Sequence, residues 1–444
     1  MNTRRSALLI AATFVSIAIP VSTIRPLWLD EILQLIETRQ TSVIHLILSV
    51  RQTPGAAPLG YLVQHVAMRV TGYSTLLARL PSALFEAAAV VFVTLIARQC
   101  GLKRPWCAAA IFACFPQTLR YATESRIYAQ ALFLSVLATY CYLRLLTSPT
   151  RRAAVRYGLA LTLAVYTHPY AIFVGVSHVI HAVICQARRT ALPTGLAAAL
   201  ASIAFVPWFW WAHSAWTQSN AISGVQFSSS WKTPLLLFRE FAGRGYFGSA
   251  LLLLLCLAAL RESRLETGVR MLLIMWIATV PIAVVCGDAA FGYFIAARQI
   301  IWVLPAVAIL AAAGIESCPR AGPVLVGLLA LVCLRQSIVF YHSPSENWEL
   351  AAKVLAQHVR QGDCLVVAPA EQAPLYRFFE PELPSGPCAS GGIVLAVTPA
   401  ATGIERREAI AGLVSAGHRI ESVQAVGRSE IILFDGASSP PPRR

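Results

Sequence analysis

Long apolar runs separated by short polar segments recur along the first three quarters of the chain, and the pattern then changes. The runs lie near residues 7–24, 76–97, 105–121, 126–146, 157–167, 171–186, 192–212, 246–260, 271–286, 300–315 and 324–340. About 20 apolar residues carry a helix across the hydrocarbon core, so the pattern predicts about eleven transmembrane helices. Some runs are short, and a pair such as the fifth and sixth reads equally as re-entrant. The first run follows Arg4 and Arg5 and is not cleanly followed by a small-x-small cleavage site, so it reads as a retained helix rather than a signal peptide.

Two polar stretches interrupt this series. Residues 25–74 carry Asp30, Glu31, Glu37, Arg39, His45 and Arg51, too many charges to span. Their apolar residues still recur at helical spacing: Ile32, Leu35 and Ile36, then Val43, Leu46, Ile47 and Val50. That is the signature of amphipathic helices lying in the membrane interface. A second polar loop covers 214–244. Beyond residue 340 the periodicity becomes that of a water-soluble α/β unit, with helices over 346–360 and 404–416 and strands over 364–368, 393–397 and 431–434. The expected organisation is a transmembrane module over 1–340 containing the amphipathic loop 25–74, an α/β domain over 341–437, and a Pro-rich disordered tail over 438–444.

Composition sharpens this picture. Of 444 residues 57% are hydrophobic and 13% charged, against about 25% charged in soluble domains. The net charge of +15 could suggest nucleic acid, but the basic residues stand in short groups between apolar runs: Arg98, Lys103 and Arg104; Arg151, Arg152 and Arg156; Arg188 and Arg189; Arg261, Arg264 and Arg270. This is the positive-inside pattern of cytoplasmic loops, and nucleic-acid binding is set aside. With an odd number of spans the N-terminus lies inside and the C-terminus outside. Most of the eleven cysteines sit in apolar runs as small hydrophobes, and none has metal-ligand spacing. Cys364 and Cys388 fall in the polar C-terminal segment, where they read either as a disulfide or as unrelated thiols.

Candidate chemistry gathers where water and lipid meet, on the outer side in this topology. Asp30-Glu31 reads as a general base with a substrate or metal ligand, or as the acidic start of a helix. Glu124-Ser125-Arg126-Ile127-Tyr128 places Glu124 and Tyr128 on one helix face, with Arg126 able to meet a phosphate or to serve as an interfacial anchor. His168 stands in a turn between two spans, where a structural hydrogen-bonded role is the plainer reading. Arg298 opens the tenth span and suits a lipid phosphate or simple snorkelling. Arg79 and Glu86 lie seven apart on one face of the second span, and Glu86 falls near mid-membrane, where it is expected to line a cavity or stay protonated.

In this order the motifs resemble the GT-C superfamily of membrane glycosyltransferases that use polyprenyl-phosphate sugars, to which protein O-mannosyltransferases and lipid A aminoarabinose transferases belong. The likeness is carried by Trp28-Leu29-Asp30-Glu31, Pro58-Leu59-Gly60-Tyr61, Ala78-Arg79-Leu80-Pro81-Ser82, Glu124-Ser125-Arg126-Ile127-Tyr128-Ala129, His168, Ala297-Arg298 before Leu304-Pro305, and Glu346-Asn347-Trp348 before Gly362-Asp363. It implies a polytopic GT-C fold and inverting sugar transfer from a polyprenyl-phosphate donor to a lipid, polysaccharide or protein acceptor at the outer face of a bacterial-type cytoplasmic membrane. By the same resemblance Asp30 is the general base, and Glu31 orients the acceptor or assists a metal. Arg126 and Arg298 hold the donor phosphate, with Glu124, Tyr128, His168 and Arg79 around the substrate. A divalent metal, Mg or Mn, at Asp30 and Glu31 is compatible with this chemistry without being required. Glu86 has no counterpart in the family pattern. A transporter or lipid flippase is the rival reading, although neither an internal repeat nor a path of charges across the spans is visible. A non-catalytic assembly subunit of the same fold is the third.

Overall fold

Proline and small polar side chains set where many of the helices begin. Ser42 accepts a hydrogen bond from the His45 amide (3.2 Å) to open one helix, and Ser74 from the Leu77 amide (3.1 Å) to open another. Thr150 does the same for Ala153 (3.2 Å), while Pro58 and Pro105 occupy first turns, where no amide is missed. The computed structural model describes residues 3–185, 188–216, 238–240, 245–262, 265–291, 297–318, 320–343, 345–359, 363–384 and 392–435.

The helices are α1 (Thr3–Val21), α2 (Leu29–Thr38), α3 (Val43–Gln52), α4 (Pro58–Thr71), α5 (Thr75–Gln99), α6 (Pro105–Cys114), α7 (Pro116–Ala122), α8 (Tyr128–Thr147), α9 (Arg151–Thr167), α10 (Ile172–Cys185) and α11 (Arg188–Trp216). After them come α12 (Tyr246–Glu262), α13 (Thr267–Phe291), α14 (Leu304–Ser317) and α15 (Gly322–His342). The C-terminal helices are α16 (Trp348–His358), α17 (Ala373–Phe379) and α18 (Gly403–Ser415). Among the described residues, α1, α5, α8, α11, α13 and α15 are long and apolar enough to cross a membrane. The other expected runs form shorter helices. The run at 105–121 is broken in two, because Pro116 removes an amide and holds Phe115 in extended backbone (ψ 131) between α6 and α7.

The chain divides into two compact units: Met1–Ser22 with Glu37–Tyr341, and Thr23–Ile36 with His342–Arg444. The amphipathic loop read as one stretch is thus shared between them. In the first unit, small residues permit close helix packing. A Cβ on Gly314 of α14 would collide with the Leu255 carbonyl of α12, and one on Gly175 of α10 would press on Leu161 of α9 (2.7 Å). Trp276, Trp302, Tyr142, Tyr157, Phe112 and Phe115 are fully buried in its core.

In the second unit four strands, β1 (Cys364–Ala368), β2 (Ile393–Val397), β3 (Ile420–Val426) and β4 (Ser429–Phe434), form a sheet of order β1-β2-β4-β3. β1 and β2 are parallel, and the other pairs antiparallel. One core joins Cys364, Leu395, Ile432 and Phe434 to Ile410 and Leu413 of α18, whose start carries a reciprocal Thr402–Glu405 capping box. Trp348 of α16 and Tyr376 of α17 pack together with ring centroids 5.2 Å apart. β3 is the strand whose alternation gave no signal: it is an edge strand, exposed on nearly every residue. Cys364 is disulfide-bonded; Cys388, its candidate partner, lies outside the described residues, as do the tail 438–444 and most of the loop 214–244.

Candidate functional site

A tight turn delivers the first group of candidates. Between α7 and α8 the Arg126 amide bonds the Glu124 carbonyl (2.9 Å), and the Thr123 amide bonds the Arg120 carbonyl (3.1 Å). The Ser82 hydroxyl donates to the Arg126 carbonyl (3.3 Å) and ties the turn to α5. Gly60 of α4 leaves room for Ile127, against which a Cβ would collide. The Pro-Leu-Gly-Tyr and Ala-Arg-Leu-Pro-Ser motifs therefore act as the walls that set Arg126.

Around this turn the structure brings Arg126, Tyr128, His168 and Arg298 together. The Arg126 guanidinium lies 5.5 Å from the Tyr128 ring, and the Tyr128 ring centroid is 5.7 Å from that of His168. Trp302, fully buried, approaches the His168 ring with centroids 5.2 Å apart. Arg298, in a single 3-10 turn (Ala297–Gln299) ahead of α14, and Arg126 both act on the imidazole. Burial first, then these two positive charges, hold the His168 pKa down to about 3, so the ring is neutral. Its Nδ1 accepts from the Tyr170 amide (3.2 Å), which places the proton on Nε2.

Glu124 is buried, and its Oε1 accepts from Arg120 Nε at 2.8 Å. Arg120 also stacks over Phe340 (5.0 Å), while Thr123 and Tyr341 share a hydroxyl hydrogen bond of 2.5 Å. Sequence reasoning missed Arg120, although its i, i+4 spacing to Glu124 is the signal that finds it. It missed Trp302 because an aromatic residue inside an apolar run carries no such mark. Arg79 is buried and donates to the Ser22 carbonyl at the end of α1. Glu86 is fully buried, and among the described residues neither of its carboxyl oxygens has a hydrogen-bond partner.

Asp30 and Glu31 belong to the second unit. They stand in the first turn of α2, where acids favour the helix dipole. Glu31 is fully buried and accepts from the Trp28 amide (3.4 Å). The Glu346 carboxylate receives the Leu29 amide (3.0 Å) and the Trp348 indole (2.9 Å), fixing the start of α2 within this unit. Asp30 is half-buried. Among the described residues no group of three or more His, Cys, Asp or Glu side chains is arranged to hold a metal. Two adjacent carboxylates do not make such a set.

Residues 54–211 match the family described as dolichyl-phosphate-mannose-protein mannosyltransferase. That segment contains Arg79, Glu124, Arg126, Tyr128 and His168, but neither the acid pair nor Arg298. No curated protein matches the chain by sequence. Among solved structures, ArnT from Cupriavidus metallidurans in the apo state superimposes with a TM-score of 0.64 at 15% identity, over 97% of this chain and 99% of that one. ArnT from the same organism bound to undecaprenyl phosphate gives 0.62 at 14% identity, over 98% and 99%. Likeness at this identity establishes a common fold along nearly the whole of both chains.

Proposed function

We propose that this chain, whose fold is that of the GT-C membrane glycosyltransferases, transfers a sugar from a polyprenyl-phosphate donor to an acceptor hydroxyl on a lipid, polysaccharide or protein. In this reading eleven spans place the N-terminus in the cytoplasm and the C-terminal α/β unit, residues 341–437, outside a bacterial-type inner membrane. The acid pair and the arginines then work at the extracytoplasmic face.

The observation that carries the proposal is the convergence of Arg126 and Arg298 on a neutral His168 lined by Tyr128 and Trp302. As the bond from the anomeric carbon to the phosphate oxygen breaks, its electron pair moves onto the phosphate. Fixed guanidinium groups stabilise that charge more in the transition state than in the ground state. His168 adds no third positive charge, and its Nε2–H is a donor suited to a phosphate or sugar oxygen. Tyr128 and Trp302 offer aromatic faces for the sugar ring. Asp30, by family resemblance, takes the acceptor proton as that oxygen attacks with inversion, and Glu31 orients the acceptor. Arg120, paired to Glu124, stiffens the turn that carries Arg126.

The test is sugar transfer by purified protein from a panel of undecaprenyl-phosphate sugars. Asp30→Asn is expected to abolish transfer while leaving the melting transition in place. Full activity in that variant would remove Asp30 as the base.

A further inference from the structure

One face of α11 is uncovered. Leu192, Leu196, Leu200, Ile203, Val206 and Trp210 recur every three or four residues along it, and all are exposed, Trp210 the most at 79%. From Leu192 to Trp210 the helix rises about 27 Å at roughly 1.5 Å per residue, close to the hydrocarbon thickness of about 30 Å. The stripe therefore meets lipid tails, and Trp210 and Trp211 mark one edge of the hydrocarbon, where tryptophans gather. Arg51, in the last turn of α3, is fixed at that edge. Its Nε donates to the Trp211 carbonyl (3.0 Å) and its Nη2 to the Ser214 hydroxyl (3.1 Å), while its guanidinium lies 4.7 Å from the Trp211 ring. The Trp208 indole donates to the Ala56 carbonyl (3.0 Å), a second tie between α11 and the chain that follows α3. Ile44 and Leu48, on the same face of α3 as Arg51, are exposed as well.

We propose that Arg51, Trp211 and Ser214 form a headgroup site for an anionic phospholipid, whose phosphate meets the guanidinium and whose acyl chains lie along the exposed faces of α3 and α11. Depth is the first reason: a guanidinium stacked on a tryptophan at the hydrocarbon edge stands at the level of lipid phosphates. Preorganisation is the second. The two hydrogen bonds to α11 use two of the five N–H donors of Arg51, so the planar fork is held in place with donors left for phosphate oxygens. Arg51 is not needed as a cap, because the orphan carbonyls of α11 are its last four, and Trp211 lies five residues before Trp216 at the helix end. Charge is the third. Arg39, which stacks on the Tyr73 ring at 3.6 Å, and Arg69, which donates to the Thr41 carbonyl, are also exposed in this stretch. Between residues 37 and 73, and along α11, the only acid in the sequence is Glu37. Its carboxylate is turned inward: Oε1 accepts from the Thr53 hydroxyl, and Oε2 is buried. A basic rim with no exposed acid favours a lipid with net negative charge over a zwitterionic one.

The probe is phosphatidylglycerol carrying a photoreactive diazirine near the carboxyl end of one acyl chain, with the matching phosphatidylcholine as its zwitterionic counterpart. Each is added to delipidated full-length protein in a non-ionic detergent. Native mass spectrometry reads the Kd of the first bound lipid, and peptide mapping locates the crosslinks. Phosphatidylglycerol is expected to bind about 10-fold more tightly than phosphatidylcholine and to crosslink within residues 43–52 and 206–216. Arg51→Gln should weaken phosphatidylglycerol by about 10-fold and phosphatidylcholine far less. Arg51→Lys, which keeps the charge but not the planar fork, should fall between the wild type and Arg51→Gln. Equal affinity of the wild type for the two lipids, or crosslinks confined to other helices, overturns the proposal with no variant required to fold. An unchanged Kd for phosphatidylglycerol in Arg51→Gln overturns it too. Displacement of the lipid from these crosslinks by an equal concentration of undecaprenyl phosphate would make the prenyl carrier the occupant, and crosslinking that disappears on dimerisation would make it a second copy of the chain; either result rejects the phospholipid.

Discussion

Two histidine clusters stand at the start of α10 and within it, and they are built on opposite terms. At its N-terminal end His168 has arginines for neighbours, weak ring-to-ring contacts with Tyr128 and Trp302, and one hydrogen bond from a backbone amide. In its C-terminal half the polar groups are mostly satisfied by one another. The His181 Nε2–H donates to the Gly268 carbonyl (2.9 Å), and its Nδ1 accepts from the Tyr142 hydroxyl (2.6 Å). His178 stacks on Tyr142 at 4.4 Å and meets the Tyr157 hydroxyl at 3.2 Å. Burial alone therefore does not mark a functional histidine. A ring enclosed by its own hydrogen-bond partners is architecture, whereas a ring beside converging guanidinium groups is equipped to meet an anion.

The comparison breaks first at Arg298. Arg298→Ala is expected to lower kcat/KM for a prenyl-phosphate donor by about 100-fold, mainly through donor KM, in steady-state transfer assays. An unchanged donor KM would discredit the phosphate role. A smaller loss should follow Gly60→Ala, which pushes Ile127 and with it the Arg126 turn. Transfer is expected to drop about 10-fold with destabilisation of about 1–3 kcal/mol, read by transfer kinetics and melting together. The second cluster should respond in the opposite sense: Tyr142→Phe removes one buried hydrogen bond and costs about 1–2 kcal/mol of stability with transfer rates intact. A loss of transfer without loss of stability would make that cluster functional. The smallest effect concerns pH. His168 folds with its pKa lowered from 6.5 to about 3, so its contribution is complete above pH 6.5 and is lost as pH falls from there towards 3. Wild-type protein should lose roughly 1 kcal/mol between pH 7 and pH 5.5 that His168→Gln does not lose, as followed by thermal melts across that range.

Much of this organisation is legible residue by residue. Ser42, Ser74, Thr150 and the paired Thr402–Glu405 announce their helices because capping is a local reaction between a side chain and its own backbone. Arg126, His168 and Arg298 stand out as polar residues bordering apolar runs. Hydropathy reads 105–121 as one span, and its break at Pro116 follows from local sterics that hydropathy does not register. Harder to see were Ile420–Val426, because an edge strand exposed on both faces has no buried stripe, and Trp302, because only its neighbours distinguish it from a core residue. Glu37 was one charge among several in a polar loop until Thr53 was placed beside it.

The sequence by itself determined that this chain lives in a membrane, where its helices start, that an α/β segment follows them, and which polar residues border the apolar runs. Those properties depend on hydrophobicity and on groups within a turn of one another. Tertiary structure decided which charges share a site: Arg126 and Arg298 are 172 positions apart in the chain, and the Thr53 hydroxyl just beyond α3 meets the Glu37 carboxylate of α2. Coulomb energy and burial depend on distance in space, and no local pattern encodes them.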